Sequence, residues 1–513
     1  TNQHYNATNT TDGLYIWGVQ QEDLSFATSY IPTEGSTVTR SAELANNSGN
    51  ADLFNDSEGV LYAEIFGLAD DRHRQLTISN GSNSNTVAIM LKPGLNRIDG
   101  YVNSGGSNQA LMFAPLDTNQ FNKIAVKYKE NDFALWLNGV EVATDTSGST
   151  PTGLNELAFD KGNGGDNFYG NVKSLAVFKE ALTDFELAEL TSSVKLNPFT
   201  FTVTTYRSGT SNTDQFTLPL TDNGTVDIVV FWGDGTSDAI TAFDQAEKTH
   251  TYPSLGTYEI KITGTLQGFR FNNTGDKSKM LDIKKWGIFD INMQSVFRNC
   301  LNLTQSATDT PIISTTNLAN TFQVAQKFNG DVSNWDVSSV TNFNSMFHRA
   351  NLFNRDISSW DVSSATNLSL MFKDAKIFNK DIGSWDVSNN DIFKEMFRGA
   401  RDFNQPIGSW TIKNVGNQNI NMQRMFRDAI SFDQSLANWD MEKVNNLQDF
   451  LLNAGLSTAS YDATLIGWAA QTVQSGLTCD FGNSQYTAGG AAEAARNTLI
   501  NTYGWTITDG GAA

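Results

Sequence analysis

The sequence predicts a mainly β, multidomain chain: two β-rich modules in series, followed by an α/β solenoid. Three observations point there. Its 513 residues correspond to about three domains at roughly 150 residues each. From residue 42 to 275, β-branched and aromatic runs alternate with turns rich in Gly, Asn and Asp. Beyond that, one motif returns about every 25 residues, which marks stacked repeats.

Composition narrows the function classes. Lys and Arg number 35 against 55 Asp and Glu, a formal net charge of -20 with a pI near 4.6. A chain that neutralises nucleic-acid phosphates or docks on an anionic membrane needs the opposite balance, so neither is expected. Hydrophobic residues make up 39% and charged ones 18%, a mixture suited to extracellular or virion modules more than to cytosolic enzymes. Cys300 and Cys479 are far apart and give no disulfide framework, so folding rests on apolar burial. No run of about 18 apolar residues is available to span a bilayer. The chain opens at Thr1 without a signal-like segment, which reads as a fragment of something longer. Residues 12–20 and 25–33 resemble the last strand and exit segment of jelly-roll domains in phage structural proteins. Residues 1–41 are therefore expected to be the tail of a preceding domain.

The next module, expected over 42–195, has alternating apolar runs at 61–66, 74–79, 86–91, 109–113, 123–128, 132–138 and 173–178. Asn138-Gly139 joins Trp136 to Val140 and Val142 as a hairpin turn. Thr183, with Glu186 three residues on, forms the capping box of a helix that follows the last strand. The pattern Trp136-Leu-Asn-Gly139 before Phe168-Tyr-Gly-Asn-Val-Lys-Ser-Leu-Ala-Val-Phe178 resembles the laminin-G/concanavalin-like jelly-roll family. That resemblance implies a two-sheet sandwich whose loops or face bind sugar. In the loop 160–166, Asp160 and Asp166 are candidate calcium ligands, because two carboxylates near backbone carbonyls suit a hard cation. A solvated glycine-rich turn is the alternative. Arg72, His73 and Arg74 form a compact basic cluster, read as a surface loop.

Residues 196–275 read as a second run of strands. Trp232-Gly-Asp-Gly-Thr236, His250-Thr-Tyr252 and Gly256-Thr-Tyr258 resemble the PKD family of immunoglobulin-like sandwiches, which implies a spacer between neighbours. Asp234 between two glycines suits a tight turn closed by its own carboxylate. His250 is expected to bond to a turn or pack on Tyr252.

From 276 to 455 the motif beginning Phe328-Asn-Gly-Asp-Val-Ser-Asn-Trp335 returns at Phe353, Phe378, Phe403 and Phe432. Its Trp steps are 25, 25, 25 and 29 residues (335, 360, 385, 410, 439). The insert of the longest step includes residues 417–420. A period near 25 lies in the leucine-rich-repeat range. Each unit is expected to have a short strand (Ile357, Trp360, Val362) and then a helix with Leu368, Met371, Phe372 and Ala375 on one face. The Trp and Phe ladders are read as core, because single units bury their apolar face only by stacking. A carbohydrate-binding aromatic ladder is the alternative. The units resemble the BspA-like surface repeats, and residues 456–513 resemble the terminal cap of such arrays. The resemblance implies adhesion or ligand recognition without enzyme activity.

Catalytic motifs are not found. Four histidines (His4, His73, His250, His348) share no metal-like spacing, and no GxSxG, Walker or GxGxxG motif is present. No catalytic, metal or cofactor residue is assigned, and no ligand-binding residue is named. The expected fold is a concanavalin-like jelly roll, a PKD-like sandwich and a capped leucine-rich-repeat-like solenoid. The expected function is a non-enzymatic phage virion surface protein attaching to a host. Its partners would be a host cell-surface glycan or protein and other virion proteins, with homo-oligomerisation compatible. A bacterial cell-surface adhesin is the second reading, and a secreted glycan-degrading enzyme the third.

Overall fold

The computed structural model describes residues 48–67, 72–117, 120–412 and 419–513. The strand expected within 1–41 and part of the insert at 417–420 lie outside the described residues. The chain divides into two compact units between Leu196 and Asn197.

In the first unit the strands are β1 (Glu58–Gly67), β2 (Arg74–Ser79), β3 (Thr86–Lys92), β4 (Arg97–Ser104) and β5 (Ser107–Pro115). They continue with β6 (Asn122–Lys129), β7 (Phe133–Leu137), β8 (Val140–Asp145), β9 (Glu156–Ala158) and β10 (Gly170–Phe178), followed by helix α1 (Asp184–Thr191). They pair antiparallel into two five-stranded jelly-roll-like sheets, β10-β1-β6-β7-β8 and β5-β4-β3-β2-β9. Alternation sends Leu76, Ile78, Val87, Ile89, Ile98 and Val102 of one sheet into a core with Leu61, Ile65, Ile124, Val126 and Leu135 of the other. Asn138 and Gly139 hold φ of 51° and 93°, the left-handed pair that a two-residue hairpin turn requires. Thr183 and Glu186 exchange the capping-box bonds at the start of α1. Strands β4 and β9 are additions to the expected set. Gly100 interrupts β4 in sequence because it faces the core, where a Cβ would lie 2.8 Å from Val126 Cγ2.

The second unit opens with β11 (Phe199–Thr204), β12 (Gln215–Thr217), β13 (Val226–Phe231), β14 (Ser237–Ile240), β15 (Thr249–Thr251) and β16 (Thr257–Leu266). Next come β17 (Met280–Lys285), β18 (Asp290–Ile291), β19 (Thr304–Gln305) and β20 (Ile312–Ile313). The main sheet has the order β14-β13-β16-β11-β17-β19. Strand β17 pairs antiparallel with β11, and β19 adds in parallel. The boundary expected at 275/276 is therefore bridged by one sheet, and Phe199 packs on Phe289 and Trp286 in one core. Asp276 and Lys279, both wholly buried, pin the loop before β12 to the first coil. The Asp276 carboxylate accepts from the backbone N–H of Thr210, Ser211 and Thr217, while Lys279 Nζ donates to the carbonyls of Asn212 and Gln215.

The repeats stack as coils, with their aromatic rings inside. Phe322, Phe347, Phe372, Phe397 and Phe426 stack at centroid spacings of 5.6–5.9 Å. Trp335, Trp360, Trp385, Trp410 and Trp439 are no more than 3% exposed. The indole N–H of Trp360, Trp385 and Trp410 donates to the carbonyl of Val332, Ile357 and Ile382 in the preceding coil, at 2.9–3.0 Å. An asparagine ladder runs alongside: the N–H of Asn354, Asn379 and Asn404 meets Oδ1 of Asn329, Asn354 and Asn379 at 3.0 Å. The sugar-platform alternative for these rings is excluded by their burial.

The helical half of the repeat is corrected. Leu368, Met371, Phe372 and Ala375 are buried, but the backbone there is a series of turns and the described coils contain no α-helix. Leu370 and Asp374 hold φ of 56°, as do their counterparts Ser345 and Arg349 (57° and 59°). These left-handed residues aim alternate N–H groups at the next coil, Leu370 to Lys394 and Phe372 to Met396, so no i→i−4 ladder forms. Core spacings of 3 and 4 arise equally from successive turns and from a helix. The strand expected at Ile357, Trp360 and Val362 is corrected too: that stretch is irregular backbone and turns, and the coils pair instead just before Leu368, through parallel bridges such as Asn342–Asn367 and, further on, β21 (Ile420–Asn421) with β22 (Val444–Asn446). The chain closes with α2 (Thr458–Ala469), β23 (Thr478–Asp480), α3 (Ala491–Asn501) and β24 (Thr506–Thr508), and Trp468 continues the indole bonds through the carbonyl of Leu436.

Candidate functional site

The outward face of the β5-β4-β3-β2-β9 sheet is half covered and half open. On the covered half, the loop 160–166 lies on β2. Thr77 Oγ1 donates to the Asp160 carbonyl at 2.9 Å, and the N–H of Gln75 donates to the Asp166 carbonyl at 3.1 Å. Of the two candidate calcium ligands, Asp160 is buried in this packing and Asp166 is exposed. Asp160 Oδ1 accepts from the N–H of Gly162 at 2.6 Å, and Asp166 Oδ2 accepts from Gln75 Nε2 at 3.3 Å. No group of three or more His, Cys, Asp or Glu converges on one point among the described residues. Tyr101 on β4 donates to Gln75 Oε1 at 2.7 Å, and burial pushes its phenol up.

On the open half, β5 carries apolar side chains on both faces. Ala110, Met112 and Ala114 enter the core, while Leu111 and Phe113 stand 51% and 55% exposed. Register places Asp99 beside Phe113 and Met90, and Arg97 beside Pro115 and Lys92. Arg97 gives Nε and Nη2 to the two oxygens of Asp99 at 2.6 and 2.8 Å, which holds its guanidinium above the usual range. Lys92 Nζ lies 2.5 Å from Asp99 Oδ2, and the Asp99 side chain has no exposure. The Arg97 guanidinium carbon sits 4.8 Å from the Phe113 ring centroid, a cation–π contact. An exposed ring beside a fixed fork of donors offers apolar contact on the ring and hydrogen bonds at its rim. These residues were not candidates from sequence. The legible signal was the strand 109–113, which is apolar in both registers.

The other sequence candidates fall elsewhere. Arg72 and His73 are exposed, but Arg74 is buried with its guanidinium carbon 4.5 Å from the Tyr169 ring centroid, so the cluster is only partly a surface loop. Asp234 closes its turn by accepting from Thr236 N and Oγ1, and its other oxygen lies 2.7 Å from His250 Nε2. Burial raises the Asp234 carboxyl, but the bonds from His250 and Thr236 outweigh it and hold the group below its usual range. His250 stacks on Trp232 and meets Tyr252 edge-on. Cys300 and Cys479 are free and buried, with thiols pushed up by burial.

Beneath α1, on the opposite sheet, Glu141 is pushed up to about 7 by burial and the neighbouring Asp184, against the pull of Lys127. A carboxyl raised this way favours the folded state below about pH 4.5, and that contribution is lost as pH rises towards 7. Glu141→Gln should therefore stabilise the protein at pH 8 and leave it unchanged at pH 4. Allowing for solvent screening at this partly exposed site, the gain should be about 1 kcal/mol. Paired thermal melts at the two pH values check it.

The sandwich and the repeats are also found by comparison with known proteins. Residues 67–188 match the concanavalin A-like lectin/glucanases superfamily. Residues 291–400 and 358–463 match the family described as Mycoplasma protein of unknown function, DUF285. No curated protein matches the chain. Among solved structures, the CBM40 of a Ruminococcus gnavus IT-sialidase bound to alpha2,3 sialyllactose is 16% identical, covering 29% of this chain and 95% of that one, with a TM-score of 0.26. The carbohydrate binding module CBM66 from Bacillus subtilis is 15% identical, covering 24% and 73%, with a TM-score of 0.18. A galectin of Caenorhabditis elegans is 14% identical, covering 26% and 89%, with a TM-score of 0.20. The chain thus carries a concanavalin A-like domain and, in its repeats, a DUF285 region.

Proposed function

We propose that the protein is a non-enzymatic glycan-binding surface protein. The concanavalin A-like domain holds the sugar, and the coil array, closed by residues 456–513 as a cap, serves as a stiff support. One observation carries this reading. Leu111 and Phe113 are exposed beside the Lys92–Arg97–Asp99 triad, on a sheet face where Gln75, Thr77, Thr86 and Tyr101 are buried. The module at 197–266, with its PKD-like turn, joins the first coil through one sheet and acts as a rigid spacer. The setting proposed with it is the outside of a virion or a bacterial cell. It rests on the order of modules and is separable from sugar binding.

Phe113→Ala tests the site. The full chain should bind members of a glycan array, and the variant should lose about tenfold or more in affinity while its melting temperature changes little, since stacked aromatic contacts contribute about 1 kcal/mol or more beyond area burial. Unchanged binding by the variant would move the site elsewhere. Silence of the full chain on the array would end the reading.

A further inference from the structure

Resting on that reading, we infer that the sugar taken at this face is acidic: the Lys92–Arg97 pair beside Phe113 is a subsite for a carboxylate- or sulfate-bearing glycan. Two cations flank one carboxylate, so the triad is net positive in a chain whose formal charge is -20. Asp99 has no exposed side-chain surface, and both of its oxygens are engaged by Arg97 and Lys92. A ligand at the surface therefore meets the cations and not the acid. Arg97 and Lys92 side chains are 30% and 15% exposed.

Donor and acceptor chemistry points the same way. Guanidinium and ammonium groups are donors without acceptor capacity. A neutral sugar hydroxyl both gives and receives hydrogen bonds, so a donor-only rim uses half of its capacity. A carboxylate or sulfate only accepts, and it complements such a rim fully. The guanidinium is also already fixed, held by Asp99 on one edge and by the Phe113 ring against its face. That orientation exists before the ligand arrives, so little side-chain entropy is lost on binding. In the sheet, the residues paired with Arg97 are Lys92 and Pro115, so no second acid stands beside it in register to repel an anion.

The test uses the full chain and matched pairs of probes: oligogalacturonate against its methyl ester, and a sulfated glycosaminoglycan against its desulfated form. At least one acidic member should bind about tenfold or more tightly than its neutral counterpart, as expected for charge-assisted hydrogen bonds. Added salt should narrow that gap. Arg97→Gln should abolish the preference. Because it leaves Asp99 with one partner, Lys92→Met is measured beside it with melts of both; it removes one cation, retains the Arg97–Asp99 fork and should halve the preference or more. Equal binding of both members of each pair, lost in Phe113→Ala, would overturn the acidic assignment and leave glycan binding standing. No binding of any probe or any array glycan would overturn both.

Discussion

Trp385→Ala is expected to destabilise the coil array by about 3–5 kcal/mol, the range for truncating a buried aromatic. The side chain is 3% exposed, packs on Phe372, and its indole N–H donates to the Ile357 carbonyl of the preceding coil at 3.0 Å. The substitution therefore opens a cavity and leaves a buried carbonyl short of a partner. In a stack where each coil touches only its neighbours, the loss falls on one interface and should separate the array's unfolding into two steps. Calorimetry of the full chain reads both the shift and the split. An internal comparison sharpens it. Trp335 stands at the start of the indole series, and its N–H has no hydrogen-bond partner in the structure. Trp335→Phe should consequently cost about 1 kcal/mol less than Trp385→Phe, the net contribution of one buried hydrogen bond. If Trp385→Ala leaves stability intact while ligand binding disappears, the ladder is a binding surface and the assignment of its rings to the core fails.

Asp276→Ala should cost about 3–5 kcal/mol as well, because it strands the buried Lys279 ammonium. Asp276 and Lys279 are both at 0% exposure, with Nζ 3.8 Å from Oδ2. Burial already lowers the Lys279 ammonium, and Asp276 is the larger of the two neighbouring charges that raise it back. The same carboxylate caps three backbone N–H groups of the 210–217 segment, which would lose their acceptor together. Limited proteolysis should show new cleavage near residues 208–214, and thermal melts should show an earlier transition. A variant that melts like the parent and resists cleavage there would show that the joint between the 210–217 segment and the first coil is held by apolar packing alone.

Local chemistry was legible where it depends on neighbours in sequence. The Asn138-Gly139 hairpin and the Thr183–Glu186 capping box occur where the residue types require them, since each needs only a few adjacent side chains. The 25-residue period revealed the stacking and the buried Trp and Phe ladders, because repetition places like residues on one inner line. The conformation inside the coil was not legible. Val324 and Leu370 adopt left-handed φ of 62° and 56°, a local cost of about 1 kcal/mol or more each. Bonds to the next coil hold them there, and those partners lie about 25 residues away.

By itself, the sequence determined that this chain is β-rich, acidic, modular and stacked, because composition, alternation and period are properties of neighbouring residues. The tertiary structure alone decided that Arg97, Asp99 and Lys92 gather beside Phe113, and that Asp276 and Lys279 tie the 210–217 segment to the first coil. Both arrangements depend on strand register and on burial, which bring together groups that no local pattern relates.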